Sequence, residues 1–199
     1  MGEWRLEHNT LVKEETANRN SFYAFFARAF LEPPDEEFIS AVKEFVPELE
    51  TGSRSELVQE YQRLFRIPYK SYVTPYESVF RNGSGRLWGE STVNVKQFYC
   101  RFKFNYAGKY NGPPDHIGLE LAFMACLCGE EEKLLSQKNN KKKLEKLLSA
   151  ESAFLKEHLL KWVPLLNDKI CKNASCHFYK TLSSILLEFL EGEAINLSL

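Results

Sequence analysis

Two short stretches concentrate the side chains able to do chemistry. In Pro113-Pro114-Asp115-His116 a carboxylate stands beside an imidazole at the head of the apolar run Ile117-Gly118-Leu119-Glu120-Leu121-Ala122-Phe123-Met124. Such a pair can serve general acid/base chemistry or receive a cationic ligand. The same residues also read as plain capping, with Asp115 accepting the first amides of a helix and His116 exposed at its second position. No G-x-S-x-G nucleophile turn accompanies the pair and no third orienting group can be named, so a hydrolase triad is set aside. The second stretch is Pro75-Tyr76-Glu77-Ser78-Val79-Phe80, a carboxylate among aromatic rings. That composition suits a peptide carrying both apolar and cationic groups, and it equally suits a packed loop in which Glu77 is solvated or hydrogen-bonded. Trp88 is either an aromatic wall of the same site or a large residue pinning the loop to the core.

Five cysteines, Cys100, Cys126, Cys128, Cys171 and Cys176, raise the question of a metal. Cys126-x-Cys128 and Cys171-x4-Cys176-His177, with His116, would be the ligands of a metal-binding enzyme or carrier, one alternative function; the other is a helical protein-interaction adaptor whose exposed aromatic loop contacts a partner protein. A strong zinc signal pairs two close Cys-x2-Cys units, and residues two apart on a helix point to different sides. Free, buried thiols are therefore expected, with no metal and no cofactor. An odd, scattered set is also not the disulfide framework of a small secreted domain. The lysines from Lys138 to Lys146 read as a solvated face, and no glycine-rich phosphate loop supports ATPase chemistry.

The elements that must hold these residues are helical. Phe22, Phe25, Phe26, Ala29 and Phe30 recur at three- and four-residue steps, predicting a helix from about Leu11 to Leu31 that Pro33 and Pro34 stop. Asp35 is placed to cap a second helix through Phe38, Val42 and Phe45 to Pro47. Ser53 and Glu56 match a capping box for a third, ending near Pro68. From Ile67 to Glu90 the periodicity fails among prolines and glycines, Gly83 included, while five large aromatics remain, which predicts a long aromatic loop with a binding role. Val95 to Tyr106 fits a helical stripe, though Cys100, Phe102, Phe104 and Tyr106 alternate as a strand would. Helix is expected there. A buried helix starts at Asp115, a polar one covers 129–148 with a hinge at Asn139 and Asn140, another runs from Ser149 to Val163 before Pro164, and the last from about Ser175 to Glu191, with Gly192 as terminator.

Composition agrees with one all-helical domain over residues 1–199. Ten glycines and eight prolines leave little punctuation for a many-stranded sandwich or barrel. The 26 basic and 27 acidic residues nearly cancel, which argues against nucleic acid as a partner. The opening MGEWRLEHNT lacks the apolar core of a secretory signal, and the longest apolar stretch is far below the ~20 residues that span a bilayer. A cytoplasmic protein without membrane insertion is expected.

Taken in order, Pro75-Tyr76-Glu77-Ser78-Val79-Phe80, Leu87-Trp88-Gly89 and Pro114-Asp115-His116-Ile117-Gly118-Leu119-Glu120-Leu121-Ala122-Phe123-Met124 resemble the TorD/DmsD/NarJ family of redox-enzyme maturation chaperones. Glu151, Phe154, His158, Trp162-Val163-Pro164 and Phe178-Tyr179 look right for the same family, so the likeness runs from about Asn18 to Gly192. It implies an all-α, cytoplasmic, single-domain bundle of the TorD-like type with a long aromatic loop, acting as a chaperone and not as a catalyst. The implied partner is the precursor of a molybdopterin-dependent oxidoreductase subunit, often held through its twin-arginine leader until its cofactor is inserted, although the family also serves clients without export signals. Homo-oligomers formed by exchange of helices are compatible with the family. The resemblance assigns client binding to Tyr76, Glu77, Ser78, Phe80, Trp88, Pro114, Asp115, His116 and Ile117. Physically, two guanidinium groups followed by an apolar stretch call for carboxylates, here Glu77 and Asp115 at a partly exposed site, beside an aromatic groove.

Overall fold

The computed structural model describes residues 3–81, 85–108, 110–137 and 139–197, with side chains from Val12 onward; Gly83 and Lys138 lie outside the described residues. Nine α-helices are described: α1 (Glu3–Leu31), α2 (Glu36–Phe45), α3 (Arg54–Phe65), α4 (Glu77–Arg81), α5 (Glu90–Arg101), α6 (Ile117–Leu135), α7 (Lys141–Phe154), α8 (Leu160–Asn173) and α9 (His177–Asn196). A single π turn, Leu155–Leu159, joins α7 to α8 without a break. Among the described residues the one extended pairing is an isolated bridge between Tyr76 and His116.

The long α1 lies along α6 and forms the spine of the bundle. Gly118 marks the closest approach: a Cβ there would fall 2.4 Å from the Leu31 side chain and 2.9 Å from the Ala27 carbonyl oxygen, so only glycine fits. One aromatic cluster joins Phe22 and Phe26 of α1 to Phe189 of α9. A second joins Phe98 of α5, Phe123 of α6 and Phe154 of α7. Both belong to a hydrophobic core reaching from Tyr23 to Leu197.

Local capping chemistry explains the short helices. Asp35 accepts the Phe38 amide at 2.8 Å, and Ser53 and Glu56 close the expected capping box. Four expectations need correction. Residues 67–90 are not irregular throughout, because α4 forms inside them. The stripe that opens at Val95 stays helical only to Arg101, and Lys103 turns the chain with φ +54°. The apolar helix does not give way to a separate polar one at Gly129; α6 runs unbroken to Leu135, and the break comes at the asparagine pair, where Asn139 has φ +65°. Neither Pro164 nor Gly192 stops its helix. Pro164 sits inside α8 one turn after the π turn, where the regular i→i−4 ladder is already interrupted and its missing donor costs less. Gly192 lies within α9, where burial of Glu193 and Leu197 past it holds the helix together.

Candidate functional site

The two stretches singled out in the sequence meet face to face. The Glu77 amide donates to the Asp115 carbonyl and the Ile117 amide to the Pro75 carbonyl, each at 3.0 Å, clamping the aromatic loop onto the entrance of α6. Asp115 does not cap α6 as expected. Its Oδ2 accepts the Ser78 amide at 2.8 Å and so caps α4, which the clamp brings against it. His116 takes the N-cap of α6 instead, with Nδ1 accepting the Gly118 amide at 3.0 Å. That bond fixes the neutral tautomer with its proton on Nε2. Burial, reinforced by the Arg66 charge, lowers the His116 pKa to about 3. The expected exposed histidine is thus a buried, neutral cap, flanked by the rings of Tyr76 at 5.2 Å and Tyr110 at 5.0 Å.

Glu77 opens α4 and is wholly buried. Its Oε2 lies 2.9 Å from His158 Nδ1 in the π turn, and its Oε1 pairs with the Arg81 guanidinium, which also donates to the Glu157 carbonyl. A π turn widens the helix locally, and here it is the element that carries His158. Glu120, on the first turn of α6, accepts Trp162 Nε1 at 3.1 Å. Burial first, and then the nearby Glu77 charge, push the Glu120 carboxyl far above the usual range, so it holds its proton. Tyr99 donates to the Pro114 carbonyl at 3.1 Å and closes the network from α5.

This arrangement overturns one expectation. Glu77 and Asp115 have 0% exposure, so neither carboxylate stands at the partly exposed position expected of it. Ser78 and Ile117 are buried with them. What remains accessible is Tyr76, Phe80 and Pro114, half-buried, and, further along the sequence, Trp88, 64% exposed. Phe80 packs on Trp162 with ring centres 5.4 Å apart, while Lys169 Nζ lies 5.3 Å from the Phe80 ring centre. Trp88 has φ +65°, a conformation costly for a bulky residue. At Tyr76, a cavity of about 290 Å³ is lined also by Glu32, Arg66, Tyr106 and Tyr110. The site is a buried acid–histidine lock beneath the half-buried Tyr76 and Phe80, with no activated nucleophile among the described residues.

Sequence reasoning gave no site role to five residues of the lock and its surroundings. Glu120 left a signal, an isolated acid in an apolar run. His158 and Trp162 stood on an apolar face, but nothing local pairs His158 with Glu77, 81 residues away. Arg81 and Tyr110 gave no signal. The cysteine–histidine alternative finds no support in the geometry: Cys171, Cys176, His116 and His177 gather into no three-ligand group among the described residues.

An all-helical bundle whose surface loop is clamped from beneath has a counterpart among solved structures. A redox enzyme maturation protein of Archaeoglobus fulgidus shares the fold with a TM-score of 0.54 at 21% identity, over 86% of this chain and 93% of that one. The chain belongs to the nitrate reductase delta subunit family, whose model matches residues 13–168. It is similar to the chaperone protein TorD of Aliivibrio salmonicida, 25% identical over 91% of this chain and 84% of the relative. It is also similar to the Tat proofreading chaperone DmsD of Haemophilus influenzae, 24% identical over 75% of this chain and 66% of the relative. These relatives are chaperones, not enzymes. No described helix is long and apolar enough to cross a membrane.

Proposed function

We propose that the chain acts as a single-domain cytoplasmic chaperone. It binds the twin-arginine leader of a molybdopterin-dependent oxidoreductase precursor and holds that precursor back from export until its cofactor is inserted. The supporting observation is the division of labour at the site: Glu77, Asp115 and His116 are spent on locking the loop, which holds the half-buried Tyr76 and Phe80 in place and leaves Trp88 exposed. Holding such rings in place before binding lowers the ordering cost of capturing an apolar segment. The leader's guanidinium groups have the exposed Glu32 carboxylate and the rings of Tyr76, Tyr106 and Tyr110 in one cavity, with the Arg66 guanidinium at its edge as a like charge. Nothing in this reading requires a cofactor bound to the chaperone itself.

Fluorescence anisotropy with a labelled leader peptide tests this. Binding should weaken at least tenfold, or about 1.4 kcal/mol, when both arginines become lysine, because a planar fork is replaced by a point charge. Equal affinity for the native, lysine-substituted and scrambled peptides would sink the leader-binding reading.

A further inference from the structure

A second buried cluster lies away from the aromatic loop. Arg19 of α1 sends its three nitrogens to three helices: Nη1 to Glu131 Oε2 of α6 at 2.7 Å, Nη2 to Glu151 Oε2 of α7 at 2.6 Å, and Nε to Glu193 Oε2 of α9 at 2.7 Å. All three acids are at most 5% exposed. One guanidinium balances one carboxylate, and uncompensated buried charge is expensive. Each glutamate also keeps a second oxygen that Arg19 does not use. Glu151 Oε1 is buried and has no hydrogen-bond partner. Glu131 Oε1 faces only the Thr16 hydroxyl at 3.2 Å, whose single proton is also claimed by the Val12 carbonyl at 2.9 Å. Cys128 of α6 is wholly buried beside them, and its Sγ lies within 4.8 Å of one oxygen from each of Glu131 and Glu151. A cavity of about 760 Å³ opens beside this cluster and is lined by Arg19, Glu131 and Glu193.

We propose that Cys128, Glu131 and Glu151 form a binding site for one zinc ion, with Arg19 retained as the countercharge behind it. One thiolate and two carboxylates are a donor set for zinc rather than for calcium or magnesium, which take oxygen alone. Metal–ligand distances of ~2.0–2.3 Å require the three donors to close in by about 1 Å, within reach of side-chain rotation. Water from the cavity completes a four-coordinate shell. In the free protein, burial holds the Glu151 pKa up at about 7 and the Cys128 thiol above its usual range, so near neutrality the thiol keeps its proton and Glu151 is only partly ionised. Zinc binding exchanges those protons for the metal and releases them to solvent.

Metal-free full-length protein titrated with Co²⁺, a spectroscopic substitute for zinc, tests the site. One equivalent should produce a thiolate-to-cobalt charge-transfer band in the near ultraviolet, and Zn²⁺ should abolish it. Replacing Cys100, Cys126, Cys171 and Cys176 together with serine should leave the band intact, whereas Cys128→Ser should remove it. Glu151→Gln should weaken Zn²⁺ affinity by at least about tenfold, as the loss of a ligand demands, and this variant decides the matter if Cys128→Ser does not fold. Calorimetry in buffers of different ionisation enthalpy should show proton release. A band that survives Cys128→Ser or disappears with the other four thiols, no band at all, or a Glu151→Gln affinity equal to the parent's would each overturn the proposal.

Discussion

At the residue scale, the site separates side chains that hold from side chains that touch. Glu77→Ala removes the carboxylate from between a buried histidine and an arginine, and breaking such a pair costs about 3–5 kcal/mol, measured by urea unfolding. Glu77→Gln keeps an acceptor for His158 Nδ1 and should lose less. Because Glu77 touches no solvent, the glutamine variant should hold the leader peptide within about twofold of the parent, a difference worth only a few tenths of a kcal/mol. Trp88 behaves in the opposite way. Its φ of +65° is a glycine conformation, so Trp88→Gly should unfold no more easily than the parent while leader affinity falls at least about tenfold. A Trp88→Gly variant that loses stability and keeps affinity would make the tryptophan a pin for the loop, the other reading its composition allowed. The sequence singles out Glu77 and Trp88 alike, since both stand in an aromatic stretch. It does not tell them apart, because burial depends on what α5, α6 and α8 bring to the loop.

At the element scale, α1 and α6 set the frame on which the loop is clamped. Gly118→Ala places a methyl group against Leu31 and the Ala27 carbonyl at the point of closest approach, and the backbone oxygen cannot rotate away. The expected cost is that of overpacking, about 1–3 kcal/mol, read as a fall in Tm. Leu31→Ala in the same chain should recover part of it, leaving the contact with Ala27. Helix starts such as Asp35 and Ser53 were legible because capping is a contact between residues three apart. Helix ends after α7 were not. Pro164 and Gly192 look like stop signals, but the π turn and the buried face of α9 outweigh them, and both are tertiary facts. The exchange of roles between Asp115 and His116 has the same origin: either residue can cap a helix, and the partner helix α4 decides which one does.

At the scale of the whole molecule, two buried groups oppose each other in their response to pH. His116 has a folded pKa of about 3 against an ordinary 6.5, so the stability its neutral form contributes is present above 6.5 and is lost as pH falls toward 3. Glu151 has a folded pKa of about 7 against 4.5, so its contribution is present below 4.5 and is lost as pH rises toward 7. Between 4.5 and 6.5 the two slopes oppose each other, each at most about 1.4 kcal/mol per pH unit. Subtracting unfolding curves isolates each group. The stability of Glu151→Gln relative to the parent should climb with pH from 4.5 to 7. That of His116→Asn, which keeps a good helix cap, should climb as pH falls from 6.5 to 3. A parallel Glu151→Gln curve would mean that Arg19 holds Glu151 ionised. All three carboxylates would then be charged around one guanidinium, with the cation demand at Cys128 larger, not smaller.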